Sequence, residues 1–343
     1  MIQVSKFTTI ILVFFLFISC NNDKQIADSL KDYTDSGINK NYHFGDKIIL
    51  PQNIIENSQS ISVSFGDEES AKLTITPELF NLGDNYITYN VKLKDGKTIM
   101  QDATIKVFAT VPEKIIPYEV VNKYPHDPNH FLEGLYLEGN TVYESVGLTN
   151  ASKLIKYHLG SKAPLTTVNL PAEMFAEGCA VVGNKIYQLT YRNRKGFIYD
   201  KSTFQKISEF TIPDAMREGW GLTFDGNDLI ATDGSNTLYF LDVDDPSKIV
   251  KTTSVAGYIT LYDQLNELEF HNGYLYSNVW FQPIVLKINP SNGEVVGKFD
   301  FTEITTARTI ENREHVLNGI AFKDENMLVS GKNWSEIYEI SIK

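Results

Sequence analysis

From Ile61 to Phe108 the chain alternates apolar and polar residues with a period of two. Ile61, Val63 and Phe65 share one face, Leu73 and Ile75 follow, and Tyr86 to Leu93 repeats the pattern. Asp95-Gly96 supplies a hairpin turn, and Ile105 to Phe108 closes the run. Short alternating strands of this kind predict a small β-sandwich over residues 43–111. The strands from Ile61 to Phe108 carry no His, Cys or Trp, so they offer little chemistry, and a spacer or docking role is the default. Residues 21–42 are polar and read as a tether. Pro112 and Pro117 mark a stiff linker.

Beyond Tyr118 the pattern becomes an internal repeat. Glu133-Gly134-Leu135, Glu177-Gly178-Cys179, Trp220-Gly221-Leu222, Asn266-Glu267-Leu268 and Asn318-Gly319-Ile320 share one phrase, with leading residues 44, 43, 46 and 52 positions apart. Each phrase opens an apolar strand. A second strand follows about ten residues on (Val142-Tyr143-Glu144, Ile186-Tyr187-Gln188 and their counterparts), then a third, and in units one to four a fourth. A period in the forties with four strands per unit is the signature of a propeller blade. The last unit stops at Lys343 one strand short, and Tyr118 to Tyr124 can supply the missing strand and leave no exposed edge. The fold class read here is all-β: a five-bladed β-propeller over residues 118–343, preceded by a small immunoglobulin-like β-sandwich.

Composition narrows the partners. Lys and Arg total 31 against 43 Asp and Glu, a net charge of −12, which argues against nucleic acid as a partner. The only cysteines are Cys20 and Cys179, so a cysteine-rich zinc site is excluded. Cys179, inside a strand, reads as a small buried hydrophobe.

In a propeller the matched positions of the innermost strands converge on one mouth. Packing asks for small or apolar residues there, yet the phrases place Glu133, Glu177, Trp220, Asn266 and Asn318 at that position. Fourteen residues further along each unit stand Gly147, Tyr191, Gly234, Trp280 and Lys332. Two carboxylates, two carboxamides, an ammonium and aromatic walls describe a small-ligand pocket. A carboxylate among rings loses hydration, so its pKa should rise toward neutrality, where it can take and return a proton. An ammonium and carboxamides can steady an oxyanion. This set supports acyl-transfer-type chemistry without a metal, cofactor or nucleophilic side chain. No Gly-x-Ser-x-Gly elbow occurs, and no His pair reads as a zinc-ligand spacing, so zinc catalysis is not expected. Glu144, Glu218, Glu267 and Glu269 are read as structural or supporting, and Arg192 to Lys195 as a solvated turn.

The first twenty residues read as an address. Lys6 precedes an apolar run from Ile10 to Ile18, and Ser19-Cys20 is followed by polar residues. This resembles a bacterial lipoprotein signal, with Phe17 where that signal usually has Leu. The resemblance implies acylation of Cys20 and a lipid-anchored place in the cell envelope. An ordinary secretory peptide with an incidental cysteine is the alternative.

The segments Phe131 to Leu135, Phe175 to Gly178, Tyr187 to Tyr191, Glu218 to Leu222, Leu265 to Glu269, Asn278-Val279-Trp280 and Leu317 to Ala321 resemble the plant- and bacterial-type glutamine cyclotransferases. That family consists of five-bladed propellers that turn an N-terminal glutamine into pyroglutamate and release ammonia, so peptides or proteins beginning with Gln are the implied partners. The resemblance makes Glu177 the general acid/base. It makes Asn266, Trp280 and Lys332 the groups that orient the γ-carboxamide and stabilise its oxygen, with Trp220 as an aromatic wall and Glu133 binding the substrate amine. Asn318 joins them as a substrate-binding candidate. Tyr191 stands where the family more often has Trp, which puts substrate range in question. No metal is implied in the chemistry, while a structural ion in the central channel stays open. A non-catalytic propeller binding a peptide or glycan at the same mouth is the rival from another class; a lactonase-like metal propeller is a third reading.

Overall fold

The computed structural model describes residues 23–36 and 41–343. The expected signal segment and Cys20 lie outside the described residues. The chain divides into two compact units, Met1–Phe108 and Ala109–Lys343. Among the described residues no helix is long and apolar enough to cross a membrane.

The first unit is built on one five-stranded sheet in the order Asn41–His43, Thr98–Phe108, Gly83–Leu93, Ser58–Phe65, Glu68–Ser70. The expected hairpin is its centre, with Gly96 taking the positive φ of 92° that its turn requires. Alternation along Gly83–Leu93 buries Ile87, Tyr89, Val91 and Leu93 and leaves Tyr86 exposed. Two features differ from the sequence reading. Part of the polar tether is a helix over residues 23–35, which buries Ile26, Leu30 and Thr34, one stripe at four-residue spacing, and brings Tyr33 edge-on to Tyr89 at 6.2 Å. Where a sandwich needs a second sheet, the described residues form only an isolated bridge between Lys47 and Thr74.

The second unit contains five sheets in chain order. Sheet I is Leu132–Glu138, Thr141–Val146, Lys153–His158 and Thr166–Asn169. Sheet II is Ala176–Val182, Lys185–Thr190, Lys195–Asp200 and Lys206–Thr211, and sheet III is Leu222–Phe224, Leu229–Ala231, Thr237–Leu241 and Ile249–Ser254. Sheet IV is Leu265–His271, Tyr274–Val279, Ile284–Ile288 and Val295–Asp300. Sheet V is Leu317–Lys323, Asn326–Gly331 and Glu336–Ile342, completed by Tyr118–Pro125 running antiparallel to its last strand. The first strands of the five sheets touch in a closed ring, I to II to III to IV to V and back to I.

Between neighbouring sheets lie separate apolar layers; Tyr143 and Leu154 of sheet I, for example, pack with Cys179, Val181 and Ile186 of sheet II. Cys179 is therefore the buried hydrophobe expected, its thiol pushed up by burial. The shared glycine of the phrase follows from the closeness of the ring. A Cβ on Gly178 would come within 2.4 Å of the Leu222 nitrogen, and one on Gly221 within 2.2 Å of the Asn266 oxygen. In sheet IV the glycine position is Glu267, whose carboxylate accepts the backbone N–H groups of Leu135 (3.3 Å) and Ile320 (2.8 Å). It thus stitches sheets I and V across the ring, consistent with the structural role read for it.

Two further expectations change. The linker after Pro112 is tied down: Lys114–Ile115 pairs in parallel with Val295–Asp300, and the Glu113 carboxylate accepts the Tyr262 hydroxyl at 2.7 Å. The Arg192 to Lys195 turn is not simply solvated, because the Arg194 guanidinium donates to the carbonyls of Met216, Ile212 and Pro213 at 2.9 Å each. A helix, Thr302–Glu311, fills the longer interval before the last phrase.

Candidate active site

The expected mouth residues owe their direction to irregularities in the ladder. Each of four first strands slips register at its phrase: between Leu132 and Gly134, Ala176 and Cys179, Leu265 and Leu268, Leu317 and Ile320. A bulge breaks the strict in-out alternation and re-aims a side chain. The bulged residues are Glu133, Glu177-Gly178, Asn266-Glu267 and Asn318-Gly319, the positions singled out by the repeat.

Seven of the expected residues meet around one cavity of about 210 Å³: Glu133, Glu177, Tyr191, Trp220, Asn266, Trp280 and Lys332. Trp220 and Trp280 stand edge to face, ring centres 5.5 Å apart. The Trp220 indole N–H donates to Glu218 at 3.1 Å, and Glu218 also accepts from Arg192 at 2.7 Å, which fixes that wall.

Asn318 is placed differently. It is fully buried and lines no part of the cavity. Its amide donates to Glu133 at 2.6 Å and to the Leu132 carbonyl at 2.8 Å. It therefore acts on the site through Glu133, not by touching what the cavity holds.

Glu133 has its charge already answered. The Lys332 ammonium lies 2.8 Å from its other oxygen, with both side chains buried, and also lies over the Phe131 ring, 4.6 Å from its centre. Burial nevertheless pushes the Glu133 carboxyl upward, against the pull of Lys332 and Asn318. Glu177 is the contrasting carboxylate. No described residue hydrogen-bonds it, and it is pushed well above the ordinary carboxyl range, first by burial, then by the negative charge of Glu133, with Lys332 opposing and Glu218 adding. Two carboxyls with different partners, one locked and one poised to exchange a proton, is an arrangement suited to acid–base work.

Three lining residues escaped the sequence reading. Phe131 and Phe175 stand two residues before Glu133 and Glu177, just ahead of the strands Leu132–Glu138 and Ala176–Val182, and this matched placement in the repeat was the available signal. Their rings meet edge to face at 6.1 Å, and Phe175 lies 5.8 Å from Tyr191. Glu314 is exposed on the segment after Thr302–Glu311, outside any repeat, and nothing in the sequence marked it.

The chain matches the family model described as glutamine cyclotransferase over residues 96–342. It is 32% identical over 242 residues to a glutaminyl-peptide cyclotransferase of Arabidopsis thaliana, covering 67% of this chain and 72% of that protein. It also resembles the crystal structure of Myxococcus xanthus glutaminyl cyclase, with a TM-score of 0.61 and 30% identity, covering 67% of this chain and 98% of that one.

Proposed function

The chain belongs to the glutamine cyclotransferase family, and from that premise we propose how its mouth performs the cyclisation. It is a glutaminyl-peptide cyclotransferase, a transferase acting on glutamine peptides. An N-terminal glutamine folds into the aromatic cavity with its α-amine beside Glu177 and its carboxamide toward Asn266 and Lys332. The amine nitrogen attacks the side-chain carbonyl carbon and closes a five-membered ring, and Glu177 takes the proton the amine sheds. Lys332 and Asn266 stabilise the oxygen that becomes negative. Glu177 then returns the proton to the carboxamide nitrogen, the C–N bond breaks, and ammonia leaves behind a pyroglutamyl peptide. Amine and amide are held in one molecule, so the enzyme supplies orientation and a proton carrier. Glu133, braced by Asn318, holds Lys332 in place. Trp220, Trp280 and Tyr191 wall the folded side chain.

The observation that carries this reading is Glu177: a buried carboxyl with no described hydrogen-bond partner, facing a cavity shared with a cation and a carboxamide. Ammonia release from a Gln-initiated dipeptide tests it. Wild type should release ammonia and Glu177→Gln should not; silence from wild type would instead favour a binding propeller.

Three finer readings belong with this proposal. The five sheets are the blades of a five-bladed propeller, a reading supported by the ring of first strands and the antiparallel closure of sheet V. The amino-terminal unit, with its five-stranded sheet, acts as a spacer. Acylation at Cys20 holds the enzyme in the cell envelope, where exported chains beginning with Gln are its substrates.

A further inference from the structure

Outside the cavity lining, where the closing strand Tyr118–Pro125 turns into sheet I, three titratable side chains meet without a role in the reaction. They are His126, His130 and Glu144, with 1%, 7% and 0% of their surfaces exposed. One carboxylate oxygen of Glu144 lies 3.1 Å from His126 Nε2 and 3.1 Å from His130 Nδ1. The ligand atoms of the trio all fall within 4.8 Å of one another.

Proton bookkeeping makes this cluster unusual. His126 Nδ1 is 2.7 Å from the Trp334 carbonyl, which can only accept, so Nδ1 carries a proton. A neutral His126 then points the lone pair of Nε2 at a carboxylate oxygen. His130 Nδ1 is buried with no hydrogen-bond partner, although the same oxygen is near. Two imidazole nitrogens, each 3.1 Å from one buried carboxylate oxygen, can share a positive centre with it.

The geometry points to a metal site: His126 Nε2, His130 Nδ1 and Glu144 Oε1 as three ligands of a structural Zn²⁺ that clasps the ring where its ends meet. Tetrahedral bonds of about 2.0–2.2 Å put ligand atoms roughly 3.3 Å apart, near the two histidine–carboxylate separations of 3.1 Å, and all three ligand atoms lie within 4.8 Å of one another. Two imidazoles and a carboxylate suit zinc, whereas magnesium and calcium prefer all-oxygen shells. Two of the ligands also have the hydrogen-bonded outer partner such ligands use, and the third has a carboxylate nearby. His126 donates to the Trp334 carbonyl, the Tyr157 hydroxyl donates to the second Glu144 oxygen at 2.7 Å, and His130 Nε2 faces Asp127 at 3.6 Å. The site would join sheet I to the turn of sheet V that carries Lys332, since the Asn333 N–H donates to the His130 carbonyl at 2.8 Å and the His126 N–H to the Ser335 carbonyl at 2.8 Å. Its role is to hold the ring; the reacting atoms lie in another place.

The test uses the folded protein stripped with a chelator and dialysed. Titration with Zn²⁺ should load about one ion per chain and raise Tm, and Co²⁺ in its place should give the visible bands of a four-coordinate site. His130→Ala should weaken Zn²⁺ binding by at least about 100-fold, the upper end of what loss of an outer partner alone costs. Glu177→Gln should bind Zn²⁺ like wild type. Sub-stoichiometric loading, a Tm indifferent to Zn²⁺, or unchanged affinity in a folded His130→Ala would overturn the site. A Tm that responds to pH but not to Zn²⁺ would also overturn it, and would assign the positive centre to a proton on His126.

Discussion

The Lys332–Glu133 pair offers a sharp test, because stability and turnover should part company there. Lys332→Met removes the ammonium 2.8 Å from a Glu133 carboxylate that is 1% exposed, leaving only the Asn318 amide at 2.6 Å to answer its charge. Stranding one partner of a buried pair costs about 3–5 kcal/mol. For a unit of this size that is a Tm fall of roughly 6–20 °C at about 2–4 °C per kcal/mol. The penalty should depend on pH. A carboxyl whose pKa is raised on folding contributes stability at low pH and loses it as pH rises through its folded value, so the variant should recover on mild acidification as Glu133 takes a proton. Adding Glu133→Gln removes the stranded charge while keeping an acceptor for Asn318, and should restore Tm at neutral pH. Ammonia release from a Gln dipeptide should stay down about 10²–10³-fold in both variants, the effect of losing one oxyanion donor. Calorimetry beside the ammonia assay reads both quantities. An unchanged Tm in Lys332→Met would refute the buried pair, and turnover regained in the double variant would remove Lys332 from the chemistry.

Three other expectations follow from the same geometry. Glu177→Gln should lower kcat by about 10²–10⁴-fold, the usual worth of a general acid/base, with Tm nearly unchanged because no described residue bonds that carboxylate. In wild type the acid limb of the kcat–pH profile should lie above the ordinary carboxyl range, since burial and the Glu133 charge hold protons on Glu177; Glu133→Gln removes that charge and should move the limb to lower pH, so a limb that stays or moves upward contradicts the assignment. Gly178→Ala should destabilise by about 1–3 kcal/mol, because its Cβ would press on the Leu222 nitrogen at 2.4 Å and the Trp220 oxygen at 2.6 Å, neither able to swing aside; a Tm equal to wild type counts against the close ring.

The ring of sheets was readable because each repeat phrase combines an apolar strand with a glycine that the neighbouring strand demands, as at Gly178 and Gly221. The mouth followed, since matched positions on a ring converge. What the repeat could not report was depth. Asn318 matches Glu177 in the phrase, yet it turns sideways to brace Glu133, and only lateral packing between sheets V and I decides that. Lys332 and Glu133 belong to different units, so their ion pair had no local signature. The helix at 23–35 was obscured by polar composition, although Ile26, Leu30 and Thr34 already marked its buried stripe. His126 and His130 are four apart on a turn, without helical periodicity to flag them, and their partner Glu144 comes from a strand of sheet I.

A crystal structure of Glu177→Gln with an uncyclised Gln dipeptide bound measures the geometry directly. The α-amine should lie within hydrogen-bond distance of residue 177 and the side-chain carbonyl oxygen within reach of the Lys332 ammonium or the Asn266 amide, with the chain folded between Trp220 and Trp280. A dipeptide seated elsewhere, or one whose carboxamide points away from Lys332 and Asn266, would contradict this placement.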